Sequence, residues 1–256
     1  MMRIRVEKRG AVGRITLSRP EKKNALDEQA ATELSSALQE FGSDGDVRVV
    51  LLAAEGKDFC AGADLEALER ALGADPAAQL HDAETLGKVF RTMRELPQPV
   101  VAAVRGRALA GGAGLATACD IVVASDDARF GYPEVGVGFV PAMVMTMLRR
   151  AMGEKRAFEL VASGRIVDAG EALAIGLVSR VVPASELDEG VEELVARLAA
   201  SPPAALRLTK RLFYDLDSLD FEAGLALGAR VNVEARATDD FRDGVRGFLN
   251  RRRGAR

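Results

Sequence analysis

Short runs of uninterrupted apolar residues set the tightest limit on what this chain can fold into. Val47 to Ala53 is broken only by Arg48, Val100 to Val104 is unbroken, and Ile121 to Ala124 follows. Strands apolar on both sides read as buried strands, with helices packed on the sheet they form. The intervening segments supply the helices. Leu26, Ala30, Leu34, Leu38 and Phe41 recur at helical spacing behind Asp27, an expected N-cap, and Ala110 to Cys119 reads as a second helix. Residues 3–7 and 12–18 read as a hairpin turning at Lys8-Arg9-Gly10, and residues 128–131 as one more strand. Strands and helices alternate, so the expected class is α/β.

Residues 70–85 contain Gly73, Pro76 and His81 and read as a mobile connection into a helix at about 82–95. That reading makes His81 a solvated loop residue. Further on, Asp168-Ala169-Gly170-Glu171 has capping-box spacing, Gly176 sits where that helix would end, and Leu177 to Val182 reads as a last strand. From Ser185 the pattern is helical, with Ser201-Pro202-Pro203 separating two helices. Their apolar stripes (Leu187, Val191, Leu194 and Leu198; Phe221, Leu225 and Val231) have no later strand to cover, so they pack on their own core or on another subunit.

Composition narrows the chemistry. Lys and Arg total 35 against 38 for Asp and Glu, a net charge of -3, which disfavours a nucleic-acid or anionic-membrane partner. The N-terminus alternates like a strand and lacks a signal-peptide core, and the glycine-rich stretch from Ala108 to Cys119 is far short of a membrane span. A cytoplasmic protein is expected. Its 2 cysteines, Cys60 and Cys119, make neither a disulfide framework nor a zinc quartet, and its 1 histidine leaves little room for triads or histidine-rich metal sites. No metal is expected. Any catalysis falls to carboxylates and backbone dipoles.

Two segments depart from plain core patterning. Phe59-Cys60-Ala61-Gly62-Ala63-Asp64-Leu65 follows the first buried strand, and Gly106-Arg107-Ala108-Leu109-Ala110-Gly111-Gly112-Ala113-Gly114-Leu115 follows the second. Small residues where a strand gives way to a helix leave amides free to meet a ligand, and two such ends aimed at one point would make an oxyanion hole. The same glycines also serve close helix–sheet packing, and the pattern alone leaves both readings open. Gly112-Ala113-Gly114 does not complete a dinucleotide fingerprint, because its third small position falls on Thr117.

Taken together and in order, these segments resemble the crotonase superfamily, the enoyl-CoA hydratase/isomerase family. The residues that carry the resemblance are Ile15 to Pro20 with Lys23-Asn24-Ala25-Leu26, Phe59 to Leu65, Pro99 to Val104, and Gly106 with Ala110-Gly111-Gly112. Cys119-Asp120-Ile121, Phe130-Gly131-Tyr132-Pro133-Glu134, Gly164-Arg165 and Gly176-Leu177-Val178 complete the series. The resemblance implies a spiral of repeated ββα units over residues 1–184, holding an acyl-CoA site. Residues 185–256 would then be a helical trimerisation region giving a homotrimer or a hexamer of two trimers. It implies an acyl-CoA thioester substrate, as in fatty acid metabolism, and no cofactor beyond the CoA the substrate carries.

By position, the resemblance makes the amides of Ala63 and Gly111 the oxyanion hole and Glu134 the acid/base. Lys23, Ala25, Leu26, Ala61, Ala63, Asp64, Leu65 and Gly111 would line the CoA and thioester site. Phe248 and Arg251 would approach the CoA nucleotide, often from a neighbouring subunit. One departure stands out: Gly114 occupies the place where two-glutamate hydratases carry their first glutamate. Hydration of a 2-enoyl-CoA through an enolate is the expected reaction. The alternatives are Δ3,Δ2-enoyl-CoA isomerisation and a weakly catalytic CoA-binding homologue. Val140 to Val144 looks closer to bacterial methylglutaconyl-CoA hydratases than to ordinary ones. Replacing Gly114 with glutamate is expected to raise hydration if the helix tolerates a side chain there.

Overall fold

A computed structural model describes residues 2–254. The chain opens with the antiparallel strands β1 (Ile4–Arg9) and β2 (Val12–Leu17), followed by α1 (Glu28–Ser43) and β3 (Val49–Ala54). Next come α2 (Leu65–Ala71), α3 (Pro76–Glu95), β4 (Val100–Val104), β5 (Arg107–Leu109) and α4 (Gly111–Ala118). Then follow β6 (Ile121–Ser125), β7 (Arg129–Gly131), α5 (Ala142–Met152), α6 (Glu154–Ser163), β8 (Ile166–Asp168), α7 (Ala169–Ala174) and β9 (Arg180–Val182). The chain finishes in α8 (Leu187–Ala200), α9 (Pro203–Asp215), α10 (Phe221–Arg236) and α11 (Asp239–Gly254).

The strands divide between two sheets, one ordered β1-β2-β3-β4-β6-β9 and the other β5-β7-β8. From β2 onward the larger sheet is parallel. Successive strand pairs cross from one sheet to the other, β4 to β5 and then β6 to β7, before the chain returns through helix. Each ββα turn advances the chain by one strand in each sheet, which is the expected spiral. The period-2 alternation of buried strands divides the core. Val50, Leu52, Val100, Ala102, Val104, Val122 and Ala124 face a large cluster with α1, α3 and α4. Val49, Leu51, Ala53, Val101, Ala103 and Val123 face the opposite side, where Leu187, Val191, Leu194 and Val195 of α8 cover them. The first C-terminal stripe therefore packs on its own sheet.

Asp27 caps α1, accepting from the Ala30 amide at 2.8 Å, and Asp168 caps α7, accepting from Glu171 at 2.8 Å. Other expectations are corrected. The hairpin turns at Gly10-Ala11, since Arg9 pairs with Val12, and Gly10 takes the positive φ of 58° that the tight reversal needs. Residues 76–85 are helical. Pro76 opens α3 as its first residue, and Asp75 caps it by accepting from Ala77 at 2.9 Å and Ala78 at 3.0 Å. His81 is accordingly an exposed helical residue. Leu177 and Val178 are not strand: both amides donate to Ala172 O, at 2.9 and 3.2 Å, closing the end of α7 after Gly176 at φ 87°.

Beyond α8, the helix α9 is pinned to the core by a buried amine. Lys210 Nζ donates to Met93 O at 2.7 Å and Gln98 O at 2.9 Å and pairs with Asp120 at 2.7 Å. Tyr214 donates to the other Asp120 oxygen at 2.6 Å. No helix of the described residues is long and apolar enough to cross a membrane.

Candidate active site

Three loop segments meet beside the N-terminus of α4. Lys23 and Asn24 both take positive φ, at 54°, and turn the chain back toward the segment after β3. Asn24 holds that turn from inside. Its Oδ1 accepts from Arg19 N at 2.8 Å, while its Nδ2 donates to Glu55 O and Asp58 O, both at 2.9 Å. The two segments then run side by side: Ala61 N donates to Lys23 O at 3.0 Å, Leu26 N to Gly62 O at 2.7 Å, and Asp64 N to Leu26 O at 2.8 Å. Leu26 and Ala63 form a parallel bridge. In that pairing Leu26 bonds to the residues on either side of Ala63, so the Ala63 amide points away from Leu26.

The third segment comes from β5 and α4. Cys60 and Ala108 form a second parallel bridge, with Cys60 N donating to Arg107 O and Leu109 N to Cys60 O, each at 3.0 Å. A side-chain carbon on Gly112 would lie 2.2 Å from Cys60 O, and one on Gly62 would lie 2.8 Å from Ala110 Cβ and 3.4 Å from Gly111 N. Gly62 and Gly112 are thus packing glycines. Gly111 is different: its nearest neighbours would stand 3.7 Å or more away. The packing reading holds for Gly62 and Gly112, while Gly111 has room beside it.

The Ala63 and Gly111 amides lie on adjoining segments, since a side-chain carbon on Gly62 would come within 3.4 Å of Gly111 N. Gly111 is the first residue of α4, where an amide has no acceptor within the helix. Among the described residues, neither amide donates to a backbone carbonyl. Ala110, just ahead, is held at φ 50° and ψ -126°. A free amide at a helix start can polarise a carbonyl oxygen, and one such donor is worth about 2.7–4 kcal/mol to a developing oxyanion.

Glu134 stands in the short helical turn Pro133–Val137 that follows β7, and β7 pairs with β5. Tyr132, fully buried, anchors the entry to that turn through Thr117 of α4 at 2.7 Å. Glu134 is half-buried, and among the described residues its Oε2 has no hydrogen-bond partner. Burial pushes its carboxyl above the ordinary glutamate range. A carboxylate with one free oxygen and a raised pKa is suited to taking and returning a proton. The cysteines are not suited to chemistry: both are free and buried, with the Cys60 thiol pushed up to about 12 by desolvation. Among the described residues no cluster of three or more His, Cys, Asp or Glu could hold a metal.

The structure therefore brings together Lys23, Ala25, Leu26, Ala61, Ala63, Asp64 and Gly111. Leu65 opens α2 beside them, 80% exposed. Phe248 and Arg251 are not brought there within one chain. They lie on α11, where Phe248 shares a groove with Leu208, Phe241 and Leu249. Two supporting residues were not singled out by the sequence reading. Asn24 holds the turn from inside, and Arg19 ties the loops together through Asp27 at 3.1 Å and Asp64 at 2.7 Å. A buried-turn Asn after Arg-Pro was the available signal.

The sequence profile of the Enoyl-CoA hydratase/isomerase family matches residues 7–255. The chain belongs to this family. A Thermus thermophilus protein, whose name provisionally places it among the enoyl-CoA hydratases, is 43% identical over 249 residues, covering 97% of this chain and 98% of that one. The short-chain-enoyl-CoA hydratase of Clostridium acetobutylicum is 36% identical over 251 residues, covering 97% and 95%. Among solved structures, the enoyl-CoA hydratase of Mycobacterium smegmatis superposes with a TM-score of 0.93 at 34% identity, covering 97% of this chain and 96% of the other. The resemblance to methylglutaconyl-CoA hydratases finds no support in these relatives.

Proposed function

We propose that this family member is an enoyl-CoA hydratase that adds water to a 2-enoyl-CoA. What supports the reading is that the Ala63 and Gly111 amides donate to no backbone carbonyl among the described residues and that the desolvated Glu134 carboxylate keeps one oxygen, Oε2, without a partner. The thioester oxygen would accept from both amides. Glu134 would take a proton from water as its hydroxyl attacks the β-carbon, and the charge would pass onto the thioester oxygen as an enolate. Returning that proton to the α-carbon completes the addition and restores the carboxylate.

The CoA would lie along Lys23, Ala25, Leu26, Ala61, Asp64 and Leu65, with Phe248 and Arg251 reaching its nucleotide from a neighbouring subunit. That arrangement calls for an oligomer. The outer faces of α9 and α10 support one, because Phe213, Phe221, Leu225 and Val233 are 57–77% exposed in the single chain. We read residues 185–256 as the trimerising region of a homotrimer or hexamer, with α8 fastened to its own sheet, in a cytoplasmic protein with no cofactor beyond the substrate's CoA.

The reading is tested by running 2-enoyl-CoA hydration beside 3-enoyl-CoA isomerisation on one preparation. Hydration should be the faster reaction. Isomerisation alone would replace the reading with that of an isomerase, and CoA-ester binding without turnover would leave a binding protein.

A further inference from the structure

Gly111 and Gly114 lie three residues apart in α4 and share one helix face. The atoms nearest to that face are all carbon. At Gly111 they are Leu26 Cδ1 at 3.7 Å, with Gly62 Cα and Leu86 Cδ2 at 4.0 Å; at Gly114 they are Val144 Cγ2 at 2.7 Å, Phe90 Cζ at 3.3 Å and Val144 Cγ1 at 3.7 Å. Leu86 and Phe90 are one turn apart on α3, and Val144 lies in the first turn of α5. Gly114 does not take a positive φ, so its glycine is not explained by backbone freedom. It is explained by Val144, which stands where its side chain would go. Val144 and Phe90 are both buried, so the niche left by the missing glutamate is filled.

We propose that Val144, backed by Phe90, is a specificity-determining residue of the acyl site, closing the niche beside Gly114 so that the site takes linear aliphatic acyl groups. The proposal rests on the acyl-CoA reading above. A hydrocarbon chain gains by lying on this wall. A branching methyl directed at the niche must displace closely packed atoms. A carboxylate on the acyl group would lose its water to a surface of Leu26, Leu86, Phe90 and Val144, none of which can pair with it. Branched and dicarboxylic acyl groups are therefore both disfavoured, for separate reasons.

Calorimetric titration with butyryl-CoA, 3-methylbutyryl-CoA, glutaryl-CoA and CoA itself tests this on the wild type, Val144→Ala and Val144→Leu. The readout is binding, so it is independent of whether the enzyme hydrates or isomerises. The wild type should prefer butyryl-CoA over each of the other two esters by about tenfold or more, the scale of a misfitting methyl in a packed pocket. Val144→Ala should move the 3-methylbutyryl to butyryl ratio about tenfold toward the branched ester, and Val144→Leu should move it the other way. Glutaryl-CoA should remain weak in all three. Equal ratios in folded wild type and variants would overturn the proposal, as would tight glutaryl-CoA binding by the wild type. If neither CoA nor butyryl-CoA binds, the acyl-CoA reading falls and the proposal falls with it; if CoA binds and the ester ratios do not move, the proposal alone falls.

Discussion

Arg19 and Asp64 form a buried ion pair, 2.7 Å from nitrogen to oxygen, with side-chain exposures of 11% and 5%. The pair sits one residue beyond the Ala63 amide. Asp64 meanwhile accepts from the Glu66 and Ala67 amides, at 2.9 and 3.2 Å, which starts α2. Burial alone would raise the Asp64 carboxyl, but the amides and the guanidinium outweigh it and hold the group below the usual carboxylate range.

Arg19→Met strips a cation from Asp64 and from Asp27 together. Breaking a buried pair from one side costs about 3–5 kcal/mol. The sign of the acid response follows from the lowered Asp64 value: its stabilisation is present above the unfolded pKa and is lost as pH falls through the folded one. Without Arg19 the folded value rises and that contribution shrinks. Urea unfolding at pH 7 and pH 3, below the ordinary Asp pKa of about 3.9, should show the wild type losing more stability on acidification than the variant. Equal losses would show that the pair does not hold the loop.

Ala110 is a non-glycine residue at φ 50°, directly ahead of the Gly111 amide. Such a backbone costs about 1–3 kcal/mol, against about 0.4–1 kcal/mol for the extra freedom glycine gives the unfolded chain. The strain term is the larger. Ala110→Gly should therefore raise the melting temperature by about 2–4 °C, the shift expected for roughly 1 kcal/mol in a chain near this size. A lower melting temperature would mean that contacts of the Ala110 methyl, which lies close to Gly62, are worth more than the strain.

The expectation that a glutamate at position 114 would raise hydration is revised by Val144. A side-chain carbon on Gly114 collides with Val144 Cγ2 at 2.7 Å, so Gly114→Glu alone should destabilise the fold by about 1–3 kcal/mol without a gain in rate. Gly114→Glu combined with Val144→Gly opens the place the carboxylate needs. Crotonyl-CoA hydration by the double variant should exceed that of the single variant by up to about 10²-fold, the lower range for an acid/base group. Equal rates would mean that a second carboxylate has no use in this site.

The exposed Phe221, 77% accessible in the single chain, tests the assembly. Light scattering should give the wild type a mass three or six times that of the chain, and Phe221→Glu should reduce it. A wild-type monomer would remove the neighbouring subunit that Phe248 and Arg251 require.

Much of this molecule was legible from its residues, for identifiable reasons. The continuous runs at Val47–Ala53 and Val100–Val104 marked strands buried on both faces, and the core clusters cover both. Asp27 and Asp168 announced their helices because a cap is a local interaction. Pro76 misled because proline both ends helices and begins them, and only the Asp75 cap decides which. Leu177 and Val178 misled because an apolar pair looks like strand whether it enters a sheet or closes a helix end. The packing glycines 62 and 112 could not be told from Gly111 without the third dimension. The Val144 contact was likewise hidden, since it joins α4 to a helix thirty residues on.

The central claim is that one desolvated carboxylate, Glu134, carries the proton transfers. The most direct test is the pH dependence of crotonyl-CoA hydration by the wild type and Glu134→Gln. Because burial raises the Glu134 pKa and the base must be ionised, kcat/KM should climb with pH through an apparent pKa above the ordinary glutamate value of about 4.3. Glu134→Gln should lower kcat by about 10²–10⁴-fold and abolish that rise, while butyryl-CoA binding stays within several-fold. A variant that keeps near wild-type hydration, or retains the same acid limb, would contradict the account.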